Sequence, residues 1–439
     1  MTTDPLKLTK SETALHLISL SARLLFANGQ STERMSAAVD QLAKQLGVRA
    51  RVFPRWDELT LQIEDVSGSH YEIVAASPAG VDMNKVVATM RVIDQLCAGQ
   101  LAPPTATTAL EAITQFPPVS TPRFALMAAA GAAALAVIFG ATHFLSLVLI
   151  AFSAGAGAFL RRWLAGKSHN LFVQPFCAAL VAGVMGAIFF RMQLSSVLRL
   201  VAVCPCMVLV PGPHFLNGGI DLARGRIALG ASRIAYASLI TAMICAGLLI
   251  GLAVGGITLP ASGPSFSVPI AYDVFAAAAF AVAAYGTFFA MPWRMLPIPV
   301  LIGMLAHASH WVAISVAQTS VVTGAFVACF LVGVLMTLIA DHLRLPFAGL
   351  AFSSVVSLIP GVFLFRMAGG MVDLVTLGTK TPQGLAVQIL ADGATAFLII
   401  LAMGFGLNVP KMCIEHFEPF LRPNRLPPSR RRCGGTSPK

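Results

Sequence analysis

The sequence predicts an all-α polytopic membrane protein: about ten transmembrane helices arranged as two inverted five-helix repeats, preceded by a small α+β soluble domain. Three observations carry this. The 439 residues are 56% apolar and only 11% charged, with a mean hydropathy of +0.79, whereas charged residues make up roughly a quarter of an ordinary soluble domain. Ten apolar spans follow Arg123, each near the length of about 17 to 20 residues that a bilayer requires. A Pro-Gly step inside one span, at Pro211, recurs in another at Pro360, 149 residues later.

Residues 1–118 carry the soluble pattern. Leu15, Ile18, Ala22, Leu25 and Phe26, then Met35, Val39, Leu42 and Leu46, fall at helical spacing on either side of Asn28-Gly29, which predicts two amphipathic helices. Alternation follows at Arg51-Val-Phe, Leu59-Thr-Leu-Gln-Ile and His70-Tyr-Glu-Ile-Val, with Ser67-Gly-Ser as a hairpin turn. Helical spacing returns from Val81 to Leu96 and from Thr105 to Ile113. Pro117, Pro118 and Pro122 then make a stiff linker over 119–123. This domain has no Gly-rich phosphate loop, no HExxH and no nucleophile elbow, so no enzyme activity and no cofactor is expected of it. Its acidic pairs and its lone His16 and His70 read as solvated surface.

The predicted spans run approximately from Phe124 to Gly140, Phe144 to Leu160, Leu171 to Phe190, Val197 to Val210 and Ile234 to Ile257 in the first half (124–258). In the second half (270–410) they run from Ile270 to Ala290, Val300 to Val316, Val321 to Ala340, Phe347 to Phe365 and Leu385 to Leu407. The fourth is short and ends at Pro211-Gly212-Pro213, so a discontinuous helix is expected there. Residues 1–122, 123–410 and 411–439 carry net charges of −2, +8 and +5, together the chain's +11. Cations cluster in alternate loops (Arg161, Arg162, Lys167; Arg224, Arg226, Arg233; Arg294; Arg344) and in the basic tail 411–439. By the positive-inside rule both termini are cytoplasmic, in a multi-pass inner-membrane protein. The positive charge reflects membrane orientation, and no nucleic-acid partner is expected. No cleavable leader is expected either, because the first 25 residues lack an apolar core. The eight cysteines show no disulfide or zinc spacing; Cys204-Pro-Cys206 reads as a packing element in a bent helix.

Five spans per half means that two copies would face opposite ways, an arrangement that places substrate near mid-membrane between paired helix breaks. Leu209-Val-Pro-Gly-Pro-His-Phe-Leu is echoed by Leu358-Ile-Pro-Gly-Val-Phe-Leu-Phe, and each is followed by a glycine pair and an aspartate, Gly218-Gly219 with Asp221 and Gly369-Gly370 with Asp373. Gly247, Gly251 and Gly255 form a repeated GxxxG, read as a close helix contact.

The run from Val210 to Gly230, together with Ala27-Asn-Gly-Gln-Ser-Thr-Glu-Arg and Val81-Asp-Met-Asn-Lys in the soluble part, resembles the threonine/serine exporter family in its fused ten-span form. The resemblance covers nearly the whole chain. It implies a secondary transporter driven by the proton motive force; some relatives are associated with small dicarboxylates. The partners implied are a small amino acid and the lipid bilayer. A homo-oligomer is compatible with the sequence.

Candidate site residues follow. Backbone groups freed at Pro211-Gly212 and Pro360-Gly361 are expected to meet the substrate's carboxylate or ammonium, with His214 beside the first break. Asn217 and Ser353 or Ser354 are candidates for reading a hydroxyl, and Asp221 or Asp373 for accepting an ammonium. Arg224, Arg226 or Arg366 would suit an anionic substrate. Ionisable groups within spans are costly and usually face a cavity, so Asp392 with His307 or His310 is the expected proton-coupling element; Asp273 lies near the outer start of span six. No metal site is expected. A membrane-anchored hydrolase or sensor acting through the soluble domain is the competing class, and ten spans exceed what an anchor needs.

Overall fold

The computed structural model describes residues 10–65, 68–141, 143–168, 170–193, 198–259, 270–343 and 347–421. Ser67, Arg344, most of the loop between the two halves and the basic tail beyond Leu421 lie outside the described residues.

In the soluble domain, helices α1 (Lys10–Ala27) and α2 (Thr32–Leu46) lead into an antiparallel sheet of β1 (Arg49–Arg55), β2 (Glu58–Asp65) and β3 (Gly68–Ala75). Helices α3 (Met83–Cys97) and α4 (Pro103–Thr114) follow. The period-two pattern puts Leu59, Leu61 and Ile63 on one face of β2, all fully buried with Leu25, Phe26 and Met35 of the helices. Gly29 separates α1 from α2 at φ +91° and Gly47 caps α2 at φ 76°, backbone conformations that favour glycine. Asp82 caps α3 by accepting the Lys85 N–H; burial raises its pKa above the ordinary carboxylate value.

The membrane domain begins with α5 (Thr121–Ile138), α6 (Phe144–Ala165) and α7 (Val173–Arg191). The fourth span is broken as predicted, into α8 (Leu198–Met207) and α9 (Gly212–Ala223), bent by 53°. The fifth, α10 (Ile227–Val254), starts a full seven residues earlier than predicted. The second half comprises α11 (Ile270–Phe288), α12 (Trp293–Val316) and α13 (Val321–Leu343). The ninth span departs from expectation. Instead of one run to Phe365 it forms α14 (Phe347–Val355) with a 3-10 turn to Leu358, then α15 (Gly361–Leu377). Pro360 has no N–H to donate and ends the first piece; α15 then continues far enough that Arg366 and Asp373, expected in a loop, are helical. The last element is α16 (Leu385–Leu421). Among the described residues nine helices are long and apolar enough to cross a membrane, or ten with α8–α9 as one span.

Small residues set the closest contacts. A Cβ on Gly247 or Gly251 of α10 would run into the α7 backbone at Phe176 or Leu180, so the glycine repeat is a packing seam within the chain. In the second half α13 and α16 meet the same way: a Cβ on Gly333 would lie 2.8 Å from the Gly406 carbonyl, and one on Gly406 2.9 Å from that of Phe326. Across the halves, a Cβ on Gly131 of α5 would lie 2.8 Å from Ala284 of α11.

Candidate functional site

The two breaks pack against each other. Gly212 sits where any Cβ would collide with the Phe352 ring and Ile359 of the opposite broken helix, and a Cβ on Gly361 would lie 3.1 Å from Met207 Cγ. Each helix restart therefore packs on the end of the other broken helix. The buried Tyr285 hydroxyl of α11 donates to the Met207 carbonyl at 3.1 Å, satisfying one of the acceptors freed at the first break.

Beside the second break lies a cavity of about 380 Å³, lined by Asp273, His307, His310, Trp311, Ser357 and Pro360 together with Ser315 and apolar residues of α5, α12, α13, α15 and α16. It lies away from the soluble domain: α16 meets that domain at Lys411 and the cavity at Ile399, about 18 Å apart along the helix axis. His307, 1% exposed, has Nε2 hydrogen-bonded to Ser357 Oγ at 2.5 Å and Nδ1 at 3.6 Å from Asp273 Oδ1. The His307 and His310 rings are 6.5 Å apart. Asp273 is 9% exposed, and among the described residues neither its Oδ1 nor the indole N–H of Trp311 has a hydrogen-bond partner. α15 begins at Gly361 with Pro360, Val362 and Phe363 in the lining; the Gly361 and Leu364 N–H groups donate to the Ile359 and Pro360 carbonyls, which leaves those of Val362 and Phe363 as the first-turn donors bordering the cavity.

Of the sequence candidates, Pro360, His307 and His310 thus line the cavity, with Gly361 adjoining. Ser353 and Ser354 are turned to backbone carbonyls, Ser353 to Leu350 and Ser354 to Leu350 and Pro299. Asp392 is 3.1 Å from Arg366, not beside either histidine. Asp373 is partly exposed on α15. The polar cavity residues that sequence reasoning left out of the site are Asp273, Trp311, Ser315 and Ser357. Asp273 carried a signal, an acid within an apolar span; the other three carried none.

The remaining candidates gather where α9 meets the soluble domain. Thr32 Oγ1 donates to Asp221 Oδ2 at 3.2 Å, and Asn217 Nδ2 to the Gly29 carbonyl at 3.4 Å. Asp221 also pairs with Arg226 at 3.3 Å and with the fully buried Arg233 at 3.2 Å. Glu33 pairs with Arg224 and, at 3.5 Å, with Lys411 of α16. Burial pushes the Glu33 carboxyl up, but the two cations outweigh it and hold its pKa below the ordinary value. His214 meets Tyr236 edge-on at 5.1 Å, and Tyr236 also contacts Trp56 of the soluble domain at 5.0 Å. The Met83 N–H donates to the Phe289 carbonyl at 2.7 Å while its side chain covers Gly349. The two runs of the soluble part that carry the family resemblance, around Asn28 and around Met83, are thus docking segments, touching both halves of the membrane domain.

Residues 16–255 match the family model described as "Putative threonine/serine exporter", and residues 274–413 match "Threonine/Serine exporter, ThrE". A "Probable threonine/serine exporter" of Mycobacterium tuberculosis is 26% identical over 338 residues, 74% of this chain and 61% of the relative. The chain therefore spans about three-fifths of the length of that curated relative. No solved structure matches the chain. The first model alone covers more than half of the residues, taking in the soluble domain and the first broken span, and the second covers nearly all of the other half: the chain is an integral membrane protein that belongs to the threonine/serine exporter family.

Proposed function

We propose that the protein exports threonine and serine from the cytoplasm across the inner membrane, with both termini cytoplasmic, and that proton entry drives it. The observation that carries this reading is the cavity at the second break. Its described lining holds one carboxylate, Asp273, two histidines, and no Lys or Arg. A zwitterion needs an acceptor for its ammonium, whereas a dicarboxylate would need cations that this lining lacks. Threonine has no net charge, so the membrane potential does no work on it; a moved proton supplies about 2.3 kcal/mol per 100 mV. His307 and His310, the two histidines of the lining, are the coupling groups in this reading, with Asp392 held by Arg366.

The pairing of α7 with α10 and of α13 with α16 through glycines, and the reciprocal packing of the two breaks, support two inverted five-helix repeats rocking about the crossed breaks. The experiment is a cell assay: after feeding a threonine dipeptide, cells making the protein should release more threonine than cells lacking it, and a protonophore should remove the difference. Equal release with and without the protein would sink the export reading.

A further inference from the structure

We propose that Asp273 is a shared anchor, neutralised alternately by protonated His307 and by the ammonium of the transported amino acid, so that proton and substrate exclude each other at one carboxylate. This deepens the export reading and rests on it.

The argument begins with what Asp273 lacks. It is 9% exposed, it faces an otherwise largely apolar cavity, and its Oδ1 has no hydrogen-bond partner among the described residues. A buried carboxylate at membrane depth persists as an anion only against a cation. Two cations are available. One is His307: its Nε2 is engaged by Ser357, leaving Nδ1 toward Asp273 at 3.6 Å. That separation exceeds a hydrogen bond. If Nε2 keeps its hydrogen for Ser357, neutral His307 turns a lone pair toward the carboxylate, and only a second proton on Nδ1 makes the contact attractive. The other cation is a ligand ammonium. The remaining groups facing the pair are His310 on the same helix and Ser357 at the end of α14; the lining from α5, α13, α15 and α16 is not titratable.

The cavity lining also offers donors for the other end of an amino acid. The Trp311 indole N–H has no partner among the described residues, and the Val362 and Phe363 N–H groups in the first turn of α15 have no intrahelical acceptor, so these can donate to a carboxylate. The balance is one for one. On the outer side the ammonium leaves Asp273 and His307 Nδ1 takes a proton from outside; on the inner side that proton is released and the next ammonium replaces it. In both states Asp273 faces a cation; in the substrate state the ligand's own carboxylate is met by neutral N–H donors, so the site carries one more negative charge than in the protonated state.

The test uses the full chain in proteoliposomes, with threonine/threonine counterflow and ΔpH-driven accumulation measured on the same preparations, each variant checked for monodispersity. Asp273→Asn is expected to lose counterflow by about tenfold or more, equivalent to about 1.4 kcal/mol of binding. His307→Gln is expected to flatten the pH dependence of counterflow and to abolish ΔpH-driven accumulation. 3-Hydroxybutyrate, which lacks the ammonium, should compete far more weakly than threoninol, which keeps it. Trp311→Phe should raise the threonine KM with little change for threoninol. Asp273→Asn protein that exchanges threonine at the wild-type rate with wild-type pH dependence would overturn the anchor while leaving export intact. Wild-type protein that is folded but moves no threonine would overturn the export reading and the anchor with it.

Discussion

Glu33 of the soluble domain and Arg224 at the end of α9 form an ion pair, and Lys411 of α16 reaches the same carboxylate at 3.5 Å. The two cations belong to opposite halves of the membrane domain, so one side chain ties α9 to α16 on the soluble-domain side. Any rocking that opens this side must break the tie.

The Glu33 pKa lies below its ordinary value of 4.5. A depressed carboxylate contributes docking energy that is fully present above the unfolded value and is lost as pH falls through the folded one. The soluble domain should therefore stay docked at neutral pH and at pH 5, and loosen only in stronger acid. Maleimide labelling of Thr32→Cys, whose position contacts Asp221, reads this directly. Labelling should be slow from pH 7 to 5, and adding Glu33→Gln should make it fast at pH 7. Equal rates with and without Glu33 would show that the ion pair does not hold the domain.

Asp221 is the hub of that interface, accepting from Thr32 and pairing with Arg226 and Arg233. Arg233 is fully buried. Removing one partner of such a pair leaves an uncompensated charge and costs about 3–5 kcal/mol, whereas replacing both by apolar residues is often neutral. Asp221→Ala should therefore lower the thermal unfolding temperature in detergent markedly. Asp221→Leu with Arg233→Met should recover most of the loss. A double variant as unstable as the two single changes combined would contradict this account.

The crossed breaks make an asymmetric prediction. At Gly212 a new Cβ would strike the Phe352 ring and Ile359, which are themselves buried or half-buried. At Gly361 it would meet Met207 Cγ at 3.1 Å and Cε at 3.4 Å, on a flexible side chain, with the Phe365 ring in ordinary contact at 3.7 Å. Overpacking a tight core costs about 1–3 kcal/mol, and here it would also wedge the two halves apart. Gly212→Ala should abolish most threonine export while Gly361→Ala retains most of it, compared at equal membrane abundance. The reverse order would mean that the contact at Gly212 is not a pivot.

Much of this was legible because it rests on local chemistry. Pro-Gly steps end helices wherever they stand, alternation at Leu59, Leu61 and Ile63 reads as a half-buried strand, and glycines every four residues read as a close helix seam. The functional assignments needed what a single sequence does not contain. Asn217, Asp221 and Arg224 looked like substrate ligands because they follow a broken helix. Their partners, Gly29, Thr32 and Glu33, lie nearly 190 residues away, and no spacing rule joins them. Ser353 and Ser354 are the serines that the sequence offers, and both turn to backbone carbonyls; the 3-10 turn at Val356–Leu358, which no local pattern announces, carries Ser357 to His307.

Asp392 shows the same limit and yields the last prediction. An acid within an apolar span is a reasonable proton carrier, but here Asp392 is 3.1 Å from Arg366 of the neighbouring α15. A guanidinium is a fixed charge that a neighbouring carboxylate can neutralise, and we read the pair as a structural tie rather than as the proton carrier. Its role in this arrangement is to fix α16 against α15 and to neutralise Arg366 within the span. Asp392→Asn should then lower stability and reduce the export rate, since Arg366 loses its counter-charge, yet leave the shape of the pH–rate profile unchanged. His307→Gln should alter that shape. Measuring initial threonine export from proteoliposomes between pH 5.5 and 8.5 for both variants separates the two roles. A flattened profile for Asp392→Asn, with His307→Gln still showing the wild-type curve, would move the proton-carrying group from the cavity to α16.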